Sequence, residues 1–578
     1  MRFLRRIWPY WRKYRRAYAG GLSLVLVGTI LAVVSPWIIK AAIDLLESGN
    51  PGGAIGSLAL ALVCIAAGRS FMVFHGRFTI IAASRRIEYD LRDKLFRKLA
   101  RLAPAYFDRH ASGDLESRVV NDVEGVRMVV GVATMMTVTS GLLFVLSIGS
   151  MFILNAKLAA ITLVPLALVA LLTTLLTKRI YRQSEEVQDR LADISTLAQE
   201  NFTGARVIRA FTQEDFENRK FGGAAERYRK ANMALALTRG WTWGMMALLI
   251  DATIGVTLLI GGMEIIRGTL TKGEFVAFAA YEFMLGWPVI AMGWVITISQ
   301  RGAACMERIE TILSEPEPPA IPDAASPEEG MIEIRDLTFR YAEDRLPALA
   351  GLSIKIKRGE RIAIVGRTGS GKSTLIQLLL GLYEVPDGKI FIDGKDINAI
   401  PRPRLRAALG CVPQDTFLFS DSIYRNIAFG ARGEPDELTV RRAAEGARLT
   451  DDLAEFPNGI DQVIGERGIT LSGGQKQRTA IARALIRDPR ILLLDDALSS
   501  VDVHTEKAIL DHLDAYFHGR TCLIVTHRFS VVAKVDRILV LDDGRLVEEG
   551  THSQLMRRQG LYAALVSRQR LEQALKKS

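Results

Sequence analysis

The chain has 578 residues, a formal net charge of +11, 49% hydrophobic residues and a mean hydropathy of +0.17. Single cores rarely grow past about 250 to 300 residues, so this length excludes one domain. The hydropathy is what an apolar half joined to a water-soluble half would average, and the basic excess lies beside apolar spans rather than on an aromatic-studded face, which argues against nucleic acid.

The first residues, including Arg5, Arg6, Trp8, Tyr10, Trp11, Arg12 and Lys13, are basic and aromatic with no small-residue cleavage site. This pattern predicts an interfacial elbow helix rather than a cleaved signal, its rings in the headgroup layer and its cations toward anionic lipid. Six apolar stretches follow, at 18–39, 55–80, 128–154, 158–177, 243–266 and 275–298. Each is long enough to cross a hydrocarbon layer of about 30 Å. The connections 44–53 and 155–157 are short, whereas 77–127 and 178–239 are long, helical in pattern and dense in Arg and Lys. By the positive-inside rule the long ones face the cytosol, with both termini inside, although Arg267 and Lys272 on an outer loop run against the rule. The scarcity of helix breakers predicts rods that run beyond the bilayer and return as pairs, turning at tips 108–114, around Ser112-Gly113, and 201–207, around Thr203-Gly204.

Arg69, Asp251 and Glu282 fall inside predicted spans, where an ionised group costs about 2.5 to 3.5 kcal/mol on lenient scales. Either they line a water-filled substrate path, with Trp287-Pro288 loosening the sixth helix, or they pair internally and fix helix packing. Cys64, Cys305, Cys411 and Cys522 lack metal-ligand spacing and read as small apolar residues. The proline-rich acidic stretch 314–330 suits neither helix nor strand and marks a linker. It divides a membrane domain with its elbow helix, 1–313, from a domain at 331–568 and a tail at 569–578. In the second domain, β-like runs at 332–334, 361–365, 491–494 and 522–525 alternate with helical segments, predicting an α/β core.

The run Gly366-Arg367-Thr368-Gly369-Ser370-Gly371-Lys372-Ser373-Thr374 follows an apolar strand and opens a helix. Its glycines let backbone amides approach a β-phosphate closely, Lys372 adds positive charge, and Ser373 offers a magnesium ligand. Asp495 ends the apolar run 491–494, at the carboxyl edge of a parallel sheet beside that loop, where a carboxylate can hold the magnesium shell. ATP with Mg2+ is the cofactor pair these residues predict.

With Leu471-Ser472-Gly473-Gly474-Gln475 followed by Lys476-Gln477-Arg478, the second half resembles the nucleotide-binding domain of an ABC transporter, and the whole chain resembles an exporter-type half-transporter. The resemblance implies an α-helical membrane domain, of six transmembrane helices with long cytoplasmic extensions, followed by an α/β P-loop ATPase domain. It implies that Ser472, Gly473, Gly474 and Gln475 close over ATP held by the opposite subunit, and that Tyr341 stacks on adenine. Gln414 matches the glutamine that senses γ-phosphate and magnesium, His527 the switch histidine, and Ser499-Ser500-Val501-Asp502 the loop that contacts the partner. The two rod tips resemble coupling helices that dock onto a nucleotide-binding domain.

Asp496 departs from the family's hydrolytic members, which carry glutamate there as the base that polarises water. Aspartate is shorter by about 1.5 Å, and a base out of reach loses about 10² to 10⁴ in rate. The expectation is therefore an ATP-driven exporter half in the inner (cytoplasmic) membrane, acting on hydrophobic or amphipathic compounds, drug-like or lipid. Its expected partner is a second half-transporter, a heterodimer being favoured over a homodimer. The rival readings are a nucleotide-gated regulatory or channel-like subunit that binds ATP without productive turnover, a membrane-anchored binding subunit whose partner does all the work, and an importer.

Overall fold

A computed structural model describes residues 2–48, 54–318, 321, 325–343, 345–465, 471–498, 505, 506, 508, 509, 511 and 519–577. The chain forms two compact units, one of Met1–Arg101 with His110–Pro316, the other of Leu102–Arg109 with Glu317–Ser578.

The first unit is helical. A short helix, Arg2–Lys13, precedes Arg15–Glu47, Ala54–Leu99, Ser112–Leu154, Ala156–Thr203, Glu214–Ile266 and Lys272–Ser314. Local chemistry sets the starts: the Asn155 side chain accepts from the Leu158 amide at 2.9 Å, and Thr271 with Glu274 forms a capping box for the last helix. Among the described residues, five of these helices carry stretches long and apolar enough to cross a membrane. The span expected at 158–177 lies within Ala156–Thr203, which is apolar to Pro165; several side chains at 166–178 lie outside the described residues. The helices Ala54–Leu99 and Glu214–Ile266 have 46 and 53 residues. At 1.5 Å per residue they reach about 70 to 80 Å, more than twice a bilayer core, as the missing breakers predict.

Small residues and buried ion pairs bind these rods together. A Cβ on Gly76 would lie 2.8 Å from the Gly21 carbonyl oxygen, so glycine on both sides permits the close approach of the first two long helices. Buried Asp122 accepts from Arg308 Nε at 2.8 Å, tying the helix Ser112–Leu154 to the last helix. Buried Glu88 accepts from Arg92 at 2.9 Å and faces Arg127 at 3.5 Å. The helix Ser112–Leu154 is not uniformly α: Arg118–Asp122 and Val129–Ala133 are π turns. Of the ionisable residues expected within the spans, Arg69 and Asp251 are exposed on their helices. Arg69 lines an open cleft of about 680 Å³ with Ser70, Phe74, Arg77 and Phe78. Glu282 is half-buried, one oxygen accepting from Thr257 Oγ1 at 2.7 Å and the other, Oε1, buried without a hydrogen-bond partner among the described residues.

The first turning point differs from the expected 108–114. The helix ends at Leu99, a new one runs Pro104–Arg109, and Ser112-Gly113 already lies in the first turn of the next. Pro104 explains the shift, because proline favours the first helical position and cannot continue the preceding rod. The second turn falls where expected, with Gly204 capping Ala156–Thr203 before the short helix Ala205–Ala210.

Among the described residues the second unit holds ten strands: β1 Ile332–Phe339, β2 Leu349–Ile356, β3 Arg361–Gly366, β4 Ile390–Ile392, β5 Lys395–Asp396, β6 Leu409–Val412, β7 Ile491–Asp495, β8 Thr521–Val525, β9 Arg537–Asp542 and β10 Arg545–Gly550. One sheet has the order β2-β1-β4-β5, antiparallel throughout. The other has the order β10-β9-β3-β8-β7-β6, parallel except for β10. β7 and β8 are buried along their full length, as the continuous apolar run in each demands.

Candidate functional site

The parallel sheet assembles the site because β8 lies between β3 and β7. Val525 pairs with Ile364 on one side and with Asp495 on the other, so the three carboxyl ends are level. A crevice outside such ends is where open α/β sheets hold ligands.

β3 ends at Gly366, and the helix Lys372–Leu379 starts immediately after Gly371, whose φ is +92°. A Cβ on Gly371 would strike the Ala348 carbonyl, and one on Gly366 the Leu541 carbonyl, so the loop requires glycine at both positions. Arg367, Thr368 and Gly369 are exposed, whereas Ser370, Lys372 and Thr374 are buried. The Lys372 ammonium donates to the Gly366 and Arg367 carbonyls at 3.1 and 2.6 Å and so sits over the loop's own backbone. Burial pulls its pKa below the ordinary lysine value, against the nearby charges of Asp495 and Asp496.

Ser373 Oγ donates to Asp495 Oδ1 at 3.0 Å. Burial pushes the Asp495 carboxyl up, opposed by the Ser373 hydrogen bond. A hydroxyl and a carboxylate, side by side at the start of a phosphate-loop helix, form the oxygen-rich donor set that magnesium prefers. Asp496 follows in the left-handed region at φ +49°, which aspartate enters more readily than most residues. Its amide donates to the Val525 carbonyl at 2.9 Å, which pins the backbone at this position. His527 stands two residues beyond β8, and burial, then the Lys372 charge, lowers its pKa, while Asp496 and Asp495 oppose the shift.

Tyr341 lies over the same helix, its hydroxyl 3.0 Å from Thr374 Oγ1 and 2.8 Å from Gln377 Oε1. Gln414 is exposed just past β6, the strand beside β7. The structure thus gathers Gly366 to Thr374, Tyr341, Asp495, Asp496 and His527 at one sheet edge, with Gln414 one strand further out.

Ser472, Gly473, Gly474 and Gln475 are elsewhere. Ser472 caps the helix Gly473–Leu485, which packs on the helices Ile423–Ala428 and Glu437–Gly446, and no hydrogen bond joins it to the phosphate loop among the described residues. Ser472 and Gly473 are exposed and so can meet another chain. Asp452, which sequence reasoning misses, accepts from Gln475 Nε2 at 3.2 Å and from Arg478 Nη2 at 2.7 Å, bracing the capped end. Ser499-Ser500-Val501-Asp502 lies outside the described residues.

A phosphate-binding loop at the edge of a parallel sheet, on a chain with bilayer-length apolar helices, defines an ATP-driven membrane transporter. Residues 19–289 match the ABC transporter transmembrane region, and residues 349–499 match the ABC transporter family. The chain is 33% identical over 577 residues to a probable multidrug resistance ABC transporter ATP-binding/permease protein of Bacillus subtilis, covering 98% of each. It is 34% identical over 579 residues to an ATP-dependent lipid A-core flippase of Pseudomonas aeruginosa, covering 96% of this chain and 94% of that one. A bacterial Atm1-family ABC exporter with ATP bound superposes with a TM-score of 0.80 at 30% identity, covering 96% and 98% of the two chains. The chain belongs to the ABC transporter family and is an exporter-type, membrane-spanning ATPase coupled to transport. Exporters of this family work as dimers, and likeness along the whole chain favours transport over a nucleotide-gated regulatory subunit.

Proposed function

We propose that this chain is one half of a heterodimeric exporter that moves amphipathic or hydrophobic compounds, lipid or drug-like, out across the inner membrane, with its ATPase unit and both termini cytoplasmic. The names of its relatives, a multidrug resistance protein and a lipid A-core flippase, support that substrate class. Tyr341 supplies the adenine platform. The amides of Gly366 to Thr374, with the Lys372 ammonium released from the loop carbonyls, hold the phosphates. Ser373, Asp495 and Gln414 take Mg2+, which neutralises phosphate charge when bound. Ser472 to Gln475 cover the nucleotide of the partner. The short helix Ala205–Ala210 has no buried residue and stands between Phe202 and Phe211, 81% and 72% exposed, as an apolar tip for the partner's ATPase unit.

Asp496 carries the unequal-halves reading. Its carboxylate is about 1.5 Å shorter than glutamate, and the hydrogen bond to the Val525 carbonyl opposes the backbone shift that would restore reach. This chain's own site then hydrolyses slowly, while its intact Ser472 to Gln475, with Arg478, completes a competent site on a partner that has glutamate. The test is to purify the chain alone and beside a half-transporter from a neighbouring gene, recording oligomer mass and ATPase rate. The chain alone should turn over slowly and Asp496→Glu should raise its rate by about 10² or more. Robust hydrolysis by the chain alone, undiminished in Asp496→Asn, would overturn the proposal.

A further inference from the structure

Glu282 lies in the apolar stretch 275–298 of the helix Lys272–Ser314. Its side chain meets the helix Glu214–Ile266, where the buried Thr257 hydroxyl donates to Oε2 at 2.7 Å. The neighbouring hydroxyls are already spent: Thr253 donates to the Leu249 carbonyl at 2.7 Å and Tyr281 to the Val33 carbonyl at 2.6 Å. Oε1 is therefore buried with no hydrogen-bond partner, and no cation stands beside the carboxyl group, among the described residues. Neither protonation state is complete. Ionised, Oε1 lacks a donor; protonated there, the group lacks an acceptor. A carboxyl group held in this way at membrane depth is costly until something outside the chain's own helices completes it.

The surface beside it has matching chemistry. At 3.6 residues per turn, Phe283, Trp287 and Trp294 project about 100° to 140° round the helix from Glu282, and all three are exposed. Rings in one stripe offer flat apolar area and electron-rich faces that attract a cation, and the carboxylate adds a negative charge at the edge of the stripe. A neutral compound could use the rings but would leave an ionised Oε1 without a counter-charge, and an anion would be repelled.

We propose that Glu282 is a specificity-determining residue of the transport path: it selects aromatic, lipophilic cations, whose N–H group completes Oε1 while their rings lie along Phe283, Trp287 and Trp294. The inference rests on the amphipathic-substrate reading given above and narrows it to positively charged compounds.

The test places the full chain in phosphatidylcholine nanodiscs, with empty nanodiscs as background, and follows three dyes that brighten on binding. Ethidium is an aromatic cation with N–H donors, N-phenyl-1-naphthylamine is neutral, and 1-anilinonaphthalene-8-sulfonate is an anion. Glu282→Gln keeps the shape and removes the charge, so ethidium affinity should fall about tenfold or more, the worth of a charge-assisted hydrogen bond. The neutral dye should stay within about twofold of its normal affinity. Glu282→Asp, which keeps the charge, should retain more ethidium affinity than Glu282→Gln. The thermal midpoint of Glu282→Gln should not fall, because the amide relieves an unpaired carboxylate. Unchanged ethidium affinity in Glu282→Gln overturns the proposal. So does an equal loss for ethidium and the neutral dye with a lowered midpoint, the result expected if Glu282 only fixes helix packing or if a second chain covers the stripe. Binding of the neutral or anionic dye without ethidium overturns this inference alone, whereas failure of all three to bind removes the amphipathic substrate class of the proposed function as well.

Discussion

The two turns that join the long membrane helices are both short helices and have opposite surroundings. Leu102–Arg109 is folded into the ATPase unit of its own chain, with Tyr106 only 4% exposed. Ala205–Ala210 buries nothing and shows Phe202, Val207 and Phe211 to solvent. Isolated apolar side chains on a surface are ordinary, but three around one six-residue helix form a patch of the kind that marks an interface. The contrast teaches that one tip is tied to its own ATPase unit while the other stands exposed, which is the state the proposed dimer would cover.

Four perturbations would break or sharpen that contrast. Lys372→Ala should reduce ATPase activity of the assembled transporter by about 10² or more. It should also abolish ATP-dependent protection of Ala205–Ala210 in hydrogen exchange, while Leu102–Arg109 keeps its basal protection; loss of protection at both tips would mean that the first is nucleotide-held rather than folded in place. Tyr106→Ala should destabilise the chain alone by about 3 kcal/mol in denaturant titration, as expected for a buried aromatic. Phe202→Ser with Phe211→Ser should leave that stability within about 0.5 kcal/mol, yet cut ATP-driven dye efflux from vesicles several-fold when the partner is present; unchanged efflux would remove the second tip from the interface. The smallest effect concerns pH. The His527 pKa lies below its ordinary 6.5, so the ring is neutral at neutral pH and gains its proton only on acidification below that value. ATP-dependent protection of the second tip should therefore be constant from about pH 8 to 7 and weaken below about 6.5; weakening already above pH 7 would contradict the lowered value.

Much of this architecture is legible in the sequence because its causes are local. Short apolar runs such as 362–365 and 491–494, bounded by turn signals, fit buried strands, and the glycines at 366 and 371 are required where a Cβ would collide with a carbonyl. Long rods follow from the absence of breakers, and Gly204 marks the second turn. The first turn lies a few residues before its expected place because Ser112-Gly113 looks more turn-like than Pro104, although a proline able to open a helix is the better signal. Asp452 and the Asp108 to Tyr383 bond are invisible for a different reason. Each depends on side chains far apart in the chain, and a lone aspartate or tyrosine has no local signature of its partner. The π turns leave only a weak trace, since Arg118–Asp122 and Val129–Ala133 are rich in Val with Asn, Asp and Gly, poor helix formers whose presence weakens a helix without specifying a π turn.

Those two π turns have a mechanical corollary. Each holds one residue more than an α-turn, so it offsets the downstream side chains by about 100° around the axis. Deleting a single residue from either would restore unbroken α geometry and leave the downstream side chains facing as they do, whereas absorbing the extra residue into α geometry would re-aim everything between that point and Leu154. The buried Asp122, inside the first of them, would lose its bearing on Arg308. Relocating one of them along the rod would re-aim only the residues between its old and new places, by about 100°.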